Sequence, residues 1–384
     1  MNRAHSCLIY KKCGGCQLTN LSYEEQLSHK MKHVISKLGR FCRIDEIIGM
    51  GEDNLHYRNK MQAVFSSDVR GNIVSGVWQT AVHRIAKTDS CLIEDEVSSW
   101  IVRAARKFIR ENRISVYNER TGKGAVRHIM VRRAKATDEI MVVLVTRGER
   151  LKLGEELARD LVKRFPSIRT VVHYVNNTDI PLWLEKEQAV LYGEGYIEDV
   201  LCGVRFRISP KSFYQINAVQ TEILYTKAVE FASLTGNEYV VDAYCGIGTI
   251  GMIASSKAKS VIGIECEDSS VKNAIDNKNL NNISNYNVIK GDSGKVMTGL
   301  VEKGERIDVV FTDPPRAGCS REFLNCIVRV LPEKIVYVSC NPDTLARDLS
   351  FITKNKYKVR KIQPVDMFPH TTHIECVVKL ERVK

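Results

Sequence analysis

From Ser233 onward, short apolar runs alternate with helical stretches, and a charged or nucleophilic residue closes most of the runs. The runs are Tyr239–Asp242, Ser260–Glu265, Tyr286–Lys290, Ile307–Asp313 and Lys334–Ser339, with a last pair at Tyr357–Met367 and Ile374–Leu380. Apolar strands separated by helices predict a parallel sheet covered on both faces, the doubly wound α/β arrangement. Such sheets bind ligands beyond the carboxyl ends of their strands. Asp242, Glu265, Asp292, Asp313 and Cys340 all fall at those ends. No other pattern in the chain limits its fold as tightly.

The first strand end reads Asp242-Ala243-Tyr244-Cys245-Gly246-Ile247-Gly248-Thr249. Two glycines allow a tight turn and a close backbone approach to a ligand. The third glycine of the dinucleotide fingerprint is missing, and no pyrophosphate loop is evident. Glu265 ends the next strand, where an acid can accept from both hydroxyls of a ribose. A strand–helix turn beside a surface acid is the plain alternative. The turn, the acid and Asp292 together favour a nucleoside-type cofactor, and S-adenosylmethionine fits better than a dinucleotide.

Cys340 follows the run Lys334–Ser339 and precedes Asn341-Pro342-Asp343. Asn suits a helix cap and Pro the first helical position. A thiol there faces the positive end of a helix dipole, which is expected to favour the thiolate. The plain alternative is a small buried core residue. Upstream, Asp313-Pro314-Pro315-Arg316 ends another strand; as a motif alone it reads equally as a strand-ending turn and as a functional turn whose Asp accepts from a base's exocyclic amine, with Arg316 in place of the aromatic such turns carry. A nucleophilic thiol beside a methyl donor suits methylation at carbon 5 of a pyrimidine. That carbon is a poor nucleophile until thiolate addition at carbon 6 turns the ring into an enolate. A base must then remove the carbon 5 proton. Glu375, in His373-Ile374-Glu375, is a candidate, although by residue type it reads more readily as an ordinary exposed acid. Cys245, Cys266, Cys319, Cys326 and Cys376 lack such a setting and read as packing.

The chain of 384 residues has 44% hydrophobic and 27% charged residues, which fits two or three globular domains. No apolar signal core or membrane-length stretch is present, so a cytoplasmic protein without membrane partners is expected. Its formal net charge of +12 is concentrated. Ile101–Thr170 holds 18 Lys/Arg against 8 Asp/Glu, among them Arg103, Arg106, Lys107, Arg110, Arg127, Arg132, Arg133, Lys163 and Arg164. That excess favours RNA or another polyanion as partner over a merely solvated face.

Three regions are expected. Residues 1–91 hold Cys7, Cys13, Cys16 and Cys91, a helix over Tyr23–Leu38, and strand-like runs at Asn59–Ser66 and Ile73–Val77. Residues 92–207 read as a mixed α/β domain with helices at Ser98–Glu111 and Leu153–Phe165. Residues 208–384 carry the doubly wound sheet. Twelve cysteines in a reducing compartment point to metal or catalytic roles rather than disulfides. The Cys-x5-Cys-x2-Cys spacing with Cys91 as a remote fourth ligand suits tetrahedral zinc or a [4Fe–4S] cluster equally.

Asp242–Thr249, Asp313–Arg316, Ser339–Pro342 and His373–Glu375, with Ser212-Phe213-Tyr214-Gln215 ahead of them, resemble the RNA uracil-5-methyltransferases. The Cys7/Cys13/Cys16 cluster resembles the iron–sulfur branch of that family, typified by the 23S ribosomal RNA enzymes. The resemblance implies a Rossmann-like methyltransferase domain, a central α/β RNA-binding domain and an N-terminal segment with a four-cysteine [4Fe–4S] cluster. It makes Cys340 the nucleophile and Glu375 the proton-abstracting base. It places Gln215, Tyr244, Thr249, Glu265, Asp292 and Asp313 at S-adenosylmethionine, with Thr249 departing from the Asn often found there. Because the chain starts almost at the cluster, the small N-terminal β-barrel of some members is expected to be lacking, leaving RNA binding to the central domain. The substrate implied is 23S rRNA, with tRNA also open. RNA cytosine-5 methylation is a rival, lowered because Arg316 stands where that class resembles a cysteine pattern. A non-catalytic iron–sulfur RNA-binding assembly factor is the rival of another kind. Oligomeric state is left open.

Overall fold

The structure, a computed structural model, describes residues 7–79, 85–178 and 187–383. The first sheet comprises β1 (Lys60–Ser67), β2 (Ile73–Trp78), β3 (Ile85–Lys87), β4 (Val126–Arg133), β5 (Ile140–Thr146), β6 (Ile168–Val175) and β7 (Glu187–Tyr192), in the order β3-β2-β1-β4-β5-β6-β7. Only β5 and β6 run parallel. Alternation along β5 explains why all of it is buried. Ile140, Val142 and Leu144 face the helices Glu96–Glu111 and Gly154–Arg164. Met141, Val143 and Val145 face the opposite core, shared with the hairpin β8 (Ile197–Leu201) and β9 (Val204–Ile208).

The second sheet comprises β10 (Tyr239–Ala243), β11 (Ser260–Glu265), β12 (Tyr286–Lys290), β13 (Val309–Thr312), β14 (Lys334–Ser339), β15 (Tyr357–Val365) and β16 (Glu375–Arg382), in the order β12-β11-β10-β13-β14-β16-β15. The strands β10 to β14 are parallel, and the order reverses between β10 and β13, which opens a crevice at their carboxyl ends. β16 lies antiparallel between β14 and β15. Its first residue therefore sits at the edge where the parallel strands end. The register pairs Ser339 with Cys376, so one further step sets Glu375 opposite Cys340.

The anticipated doubly wound α/β arrangement is present, but the divisions at 91/92 and 207/208 are not. β1 to β3 complete the same sheet as β4 to β7, so a boundary at 91 cuts through one hydrogen-bonded unit. Phe206 and Ile208 share a core with Leu224, Ala228 and Val240, so 207 is no boundary either. The N-terminal helix Tyr23–Leu38 docks on the far side of the second sheet. Val34 and Leu38 pack with Leu345 and Leu349, and a capping box joins Ser22 to Glu25. The helix Ala218–Ala232 was not anticipated. It is wedged between β8, β14 and β16, so its apolar residues spread around it without a clear stripe. Among the described residues, no helix is long and apolar enough to cross a membrane.

Candidate active site

The turn after β10 is built from left-handed residues, Tyr244 (φ 61°), Gly246 (φ 57°) and Gly248 (φ 88°). Asp242 beneath it is buried, and its Oδ2 accepts from Gly251 N at 2.8 Å. Burial, with Asp313 and Glu265 adding, pushes Asp242 up to about 7. A Cβ at Gly251 would lie 2.6 Å from the Tyr286 ring and 2.7 Å from Asp242 Oδ2, so only glycine closes this turn. Glu265 clamps the turn from β11. Its Oε2 accepts from Gly246 N at 3.0 Å and its Oε1 from Cys266 N and Glu267 N at 2.8 and 2.9 Å. A carboxylate offers about four lone-pair sites, so Oε2 keeps room for roughly one further donor. Asp292 caps the helix Ser293–Glu302 through Lys295 N at 3.0 Å.

Gln215 and Thr249 line one small cavity with Phe213, Tyr214 and Tyr225. Tyr225 was missed in the sequence because its helix was missed. Its buried hydroxyl bonds the side chains of Thr249 and Gln215, and its titration is pushed far up by burial and by Asp313. Tyr244 packs edge-on against Phe323 at 5.2 Å and faces Ser320. The Tyr244–Gly248 turn, Glu265 and Asp292 lie at the carboxyl-end side of β10, β11 and β12.

Cys340 is half-buried on the turn between β14 and the helix Pro342–Ile352. Asn341 caps that helix, and its Nδ2 donates to the Arg316 carbonyl at 3.2 Å. Thr344 Oγ1 donates to the same carbonyl at 3.3 Å, which fastens the Asp313–Arg316 turn to the Cys340 turn. The Arg316 guanidinium lies 3.2 Å from His373 Nδ1.

The electrostatics overturn one expectation. The Cys340 thiol is not lowered by the helix start; burial, then Glu375 and Asp313, push it up to about 11, with Arg316 opposing them. Burial and two carboxyl groups outweigh the effect of a helix dipole, which falls off within one turn. Glu375 corrects the other reading, since it is 3% exposed rather than a surface acid. Burial and Asp313 hold it well above the usual carboxylate range, and Asp313 is itself pushed up to about 7 by burial. Burial of both carboxyl groups, with Asp313 adding to the shift at Glu375, disfavours their double ionisation. Of the cysteines read as packing, Cys245, Cys319, Cys326 and Cys376 are buried, whereas Cys266 is exposed.

Cys7, Cys13, Cys16 and Cys91 all line a cavity of about 430 Å³ between the N-terminal segment and the first sheet. Among the described residues, no three Cys, His, Asp or Glu side chains converge on a single metal ion. The four thiols instead ring a larger space. Its walls include Glu94 and His128, whose Oε2 and two ring nitrogens lack hydrogen-bond partners among the described residues.

The basic central segment divides into two kinds of residue. Arg127 and Arg132 are buried and hold backbone carbonyls, Arg127 at Asn176 and Arg132 at Ser209 and Ser212. Arg133 pairs with Asp95 and Asp138, and Arg106 with Asp89. Arg103, Lys107 and Arg110 are exposed and share a helix face with Trp100, while Lys163 and Arg164 are exposed on the neighbouring helix. Composition alone could not separate these roles.

The sequence profile of the tRNA (uracil-5-)-methyltransferase family matches residues 184–383. The chain is 42% identical over 97% of its length, and 81% of the relative's, to an uncharacterized RNA methyltransferase of Clostridium tetani. It is 42% identical over 98% of its length, and 82% of the relative's, to one of Halalkalibacterium halodurans. Its fold is similar to that of the Pyrococcus abyssi tRNA (uracil-54, C5)-methyltransferase in complex with S-adenosyl-L-homocysteine. The TM-score is 0.80 at 28% identity, covering 95% of this chain and 85% of that one.

A thiol held at about 11 makes a definite prediction for the ligand-free protein. Iodoacetamide labelling of Cys340, resolved by peptide mass spectrometry, should accelerate about tenfold per pH unit between roughly pH 7 and 9, because the thiolate is the nucleophile. Arg316→Ala should slow it further. A rate already level at neutral pH would mean that the resting group is a thiolate.

Proposed function

The chain belongs to the family of RNA uracil-5-methyltransferases, and from that premise we propose that it methylates carbon 5 of a uridine in structured RNA, with 23S rRNA as substrate. The observation that carries the mechanism is the register of β14 and β16, which sets Glu375 opposite Cys340 beside the Asp313–Arg316 turn. S-adenosylmethionine, when bound, supplies an electrophilic sulfonium methyl. Gln215, Tyr244, Thr249, Glu265, Asp292 and Asp313 are assigned to hold it, Glu265 through the lone pair left on Oε2.

Cys340, its thiol proton given up to solvent, adds as the thiolate to carbon 6 of the uracil, and the carbon 5–carbon 6 π electrons move onto the carbon 4 carbonyl as an enolate. Arg316 is the nearby cation that favours the thiolate needed for this step. Carbon 5 would take the methyl as the methyl–sulfur bond of the donor breaks, its electron pair staying on that sulfur. Glu375 then removes the carbon 5 proton, the double bond re-forms, and the carbon 6–sulfur bond breaks to release Cys340. One proton is exchanged for one methyl. A buried carboxyl with a raised pKa is a stronger base than an exposed one, which suits this last step. The target base must leave its stack to reach Cys340, so a loop or bulge uridine is expected. The exposed Trp100, Arg103, Lys107 and Arg110 face is assigned to the RNA backbone.

A tRNA substrate is the second reading, and the similarity to the Pyrococcus tRNA enzyme favours it. We further assign a [4Fe–4S] cluster to Cys7, Cys13, Cys16 and Cys91, supported by their shared cavity. Its role is to tie the N-terminal segment to the first sheet, since the methyl transfer needs no electrons.

Two outcomes test these readings. RNA containing 5-fluorouridine should trap an SDS-stable complex with the protein when the methyl donor is present, because fluorine cannot leave as a proton does. Cys340→Ala should form none and lose at least about a thousandfold in turnover; trapping by that variant would remove Cys340 as nucleophile. Anaerobically purified protein should contain about four irons per chain with matching sulfide, whereas stoichiometric zinc without iron would contradict the cluster.

A further inference from the structure

Resting on the assignment of Glu375 as base, we propose that Gln26 and His370 form a buried clasp through which the cysteine-bearing N-terminal segment positions Glu375 for the elimination step. Glu375 Oε2 lacks a hydrogen-bond partner among the described residues, so no side-chain bond fixes that oxygen. Its place is inherited from the backbone on either side. On the carboxyl side, β16 is fixed by β14 and β15. On the amino side lies the loop of residues 366–374, and its fastenings come from far upstream in sequence.

His370 sits at the centre of that loop, 1% exposed and in the left-handed region at φ 69°. A non-glycine residue there is costly, and persists where its surroundings over-determine it. Gln26 supplies two of the restraints. Its Oε1 accepts from His370 N at 2.8 Å, and its Nε2 lies 3.3 Å from His370 Nδ1. Asn54 Oδ1 lies 3.1 Å from His370 Nε2, so a neutral ring protonated at Nε2 satisfies both neighbours. The His370 carbonyl accepts from Leu18 N at 2.9 Å, two residues beyond Cys16. Gln17 Oε1 accepts from Thr372 N at 3.4 Å.

The same helix holds the start of the loop. Lys30 Nζ pairs with Asp366 Oδ1 at 2.5 Å and donates to the Phe368 carbonyl at 2.9 Å, with both charged side chains fully buried. Tyr23 OH donates to Asp366 Oδ2 at 2.9 Å. At the end of the loop His373 lies against Arg316, and Glu375, the first residue of β16, stands opposite Cys340 in the strand register. Lys30 and Tyr23 therefore fasten the loop as a whole, whereas Gln26 fixes the residue from which the chain turns toward the base.

A displaced base should leave thiol addition and methyl transfer intact and slow only proton removal. The methylated RNA–Cys340 adduct would then accumulate. The test uses the full-length protein, RNA substrate and methyl-labelled S-adenosylmethionine, with adduct measured on denaturing gels and methyl-donor affinity by calorimetry. Glu375→Gln should accumulate adduct, which checks the base itself. Gln26→Met, which keeps the side chain's length but removes both bonds to His370, should slow turnover about ten- to a hundredfold and raise steady-state adduct correspondingly. Methyl-donor affinity should stay within about twofold of wild type. If Gln26→Met does not fold, Asn54→Ala breaks the other ring contact and should act in the same direction. Adduct with Glu375→Gln but none with the clasp variants, despite slower turnover, would overturn the clasp alone. Adduct in neither would overturn the base assignment and the clasp with it.

Discussion

β16 runs against β14, and the chemistry of the crevice depends on that reversal. In a wholly parallel sheet, the strand beside β14 would bring its last residue to the carboxyl edge, with its first at the opposite side of the molecule. Inserted antiparallel, β16 delivers its first residue, Glu375, to the edge where β14 ends at Ser339. A thiol and a carboxyl separated by about 35 positions in the chain thus become neighbours through backbone hydrogen bonds alone. Side-chain hydrogen bonds then align the Asp313–Arg316 turn with them, through Asn341 and Thr344.

That closeness has an electrostatic cost which the assigned reaction uses. Burial raises Glu375 and Asp313, Asp313 adds to the shift at Glu375, and burial with both carboxyl groups raises Cys340, which favours the neutral, unreactive thiol in the ligand-free site. A thiol kept neutral is protected from oxidation and stray alkylation. Arg316 pulls the other way, and it belongs to the turn that also presents Asp313. The same burial that disfavours the thiolate makes Glu375 a stronger base once it has lost its proton.

Much of this was legible in the sequence, for physical reasons. Parallel strands buried on both faces are continuous apolar runs, so Ser260–Glu265, Tyr286–Lys290 and Lys334–Ser339 could be bounded to the residue. Polar and nucleophilic groups close such strands directly, which is why Asp242, Glu265, Asp313 and Cys340 stood out. Pairing order was not legible: nothing local in Lys60–Trp78 says that β1 pairs with β4, whose residues Val126–Arg133 lie far downstream. The helix Ala218–Ala232 escaped because it is covered on several sides and lacks an amphipathic stripe, and Tyr225 escaped with it. Protonation was misjudged at Cys340 because the opposing groups are distant in sequence. Arg127 and Arg132 read as RNA contacts by composition, yet they are buried braces.

The central claim is that this site makes 5-methyluridine in ribosomal RNA through Cys340. Nucleoside mass spectrometry on separated large-subunit, small-subunit and transfer RNA, from cells lacking the gene, addresses it most directly. The account predicts loss of 5-methyluridine from the large-subunit fraction, restored by the wild-type protein and not by Cys340→Ala. Loss confined to transfer RNA would keep the chemistry and change the substrate. Unchanged 5-methyluridine in every fraction, or loss of 5-methylcytidine instead, would contradict it.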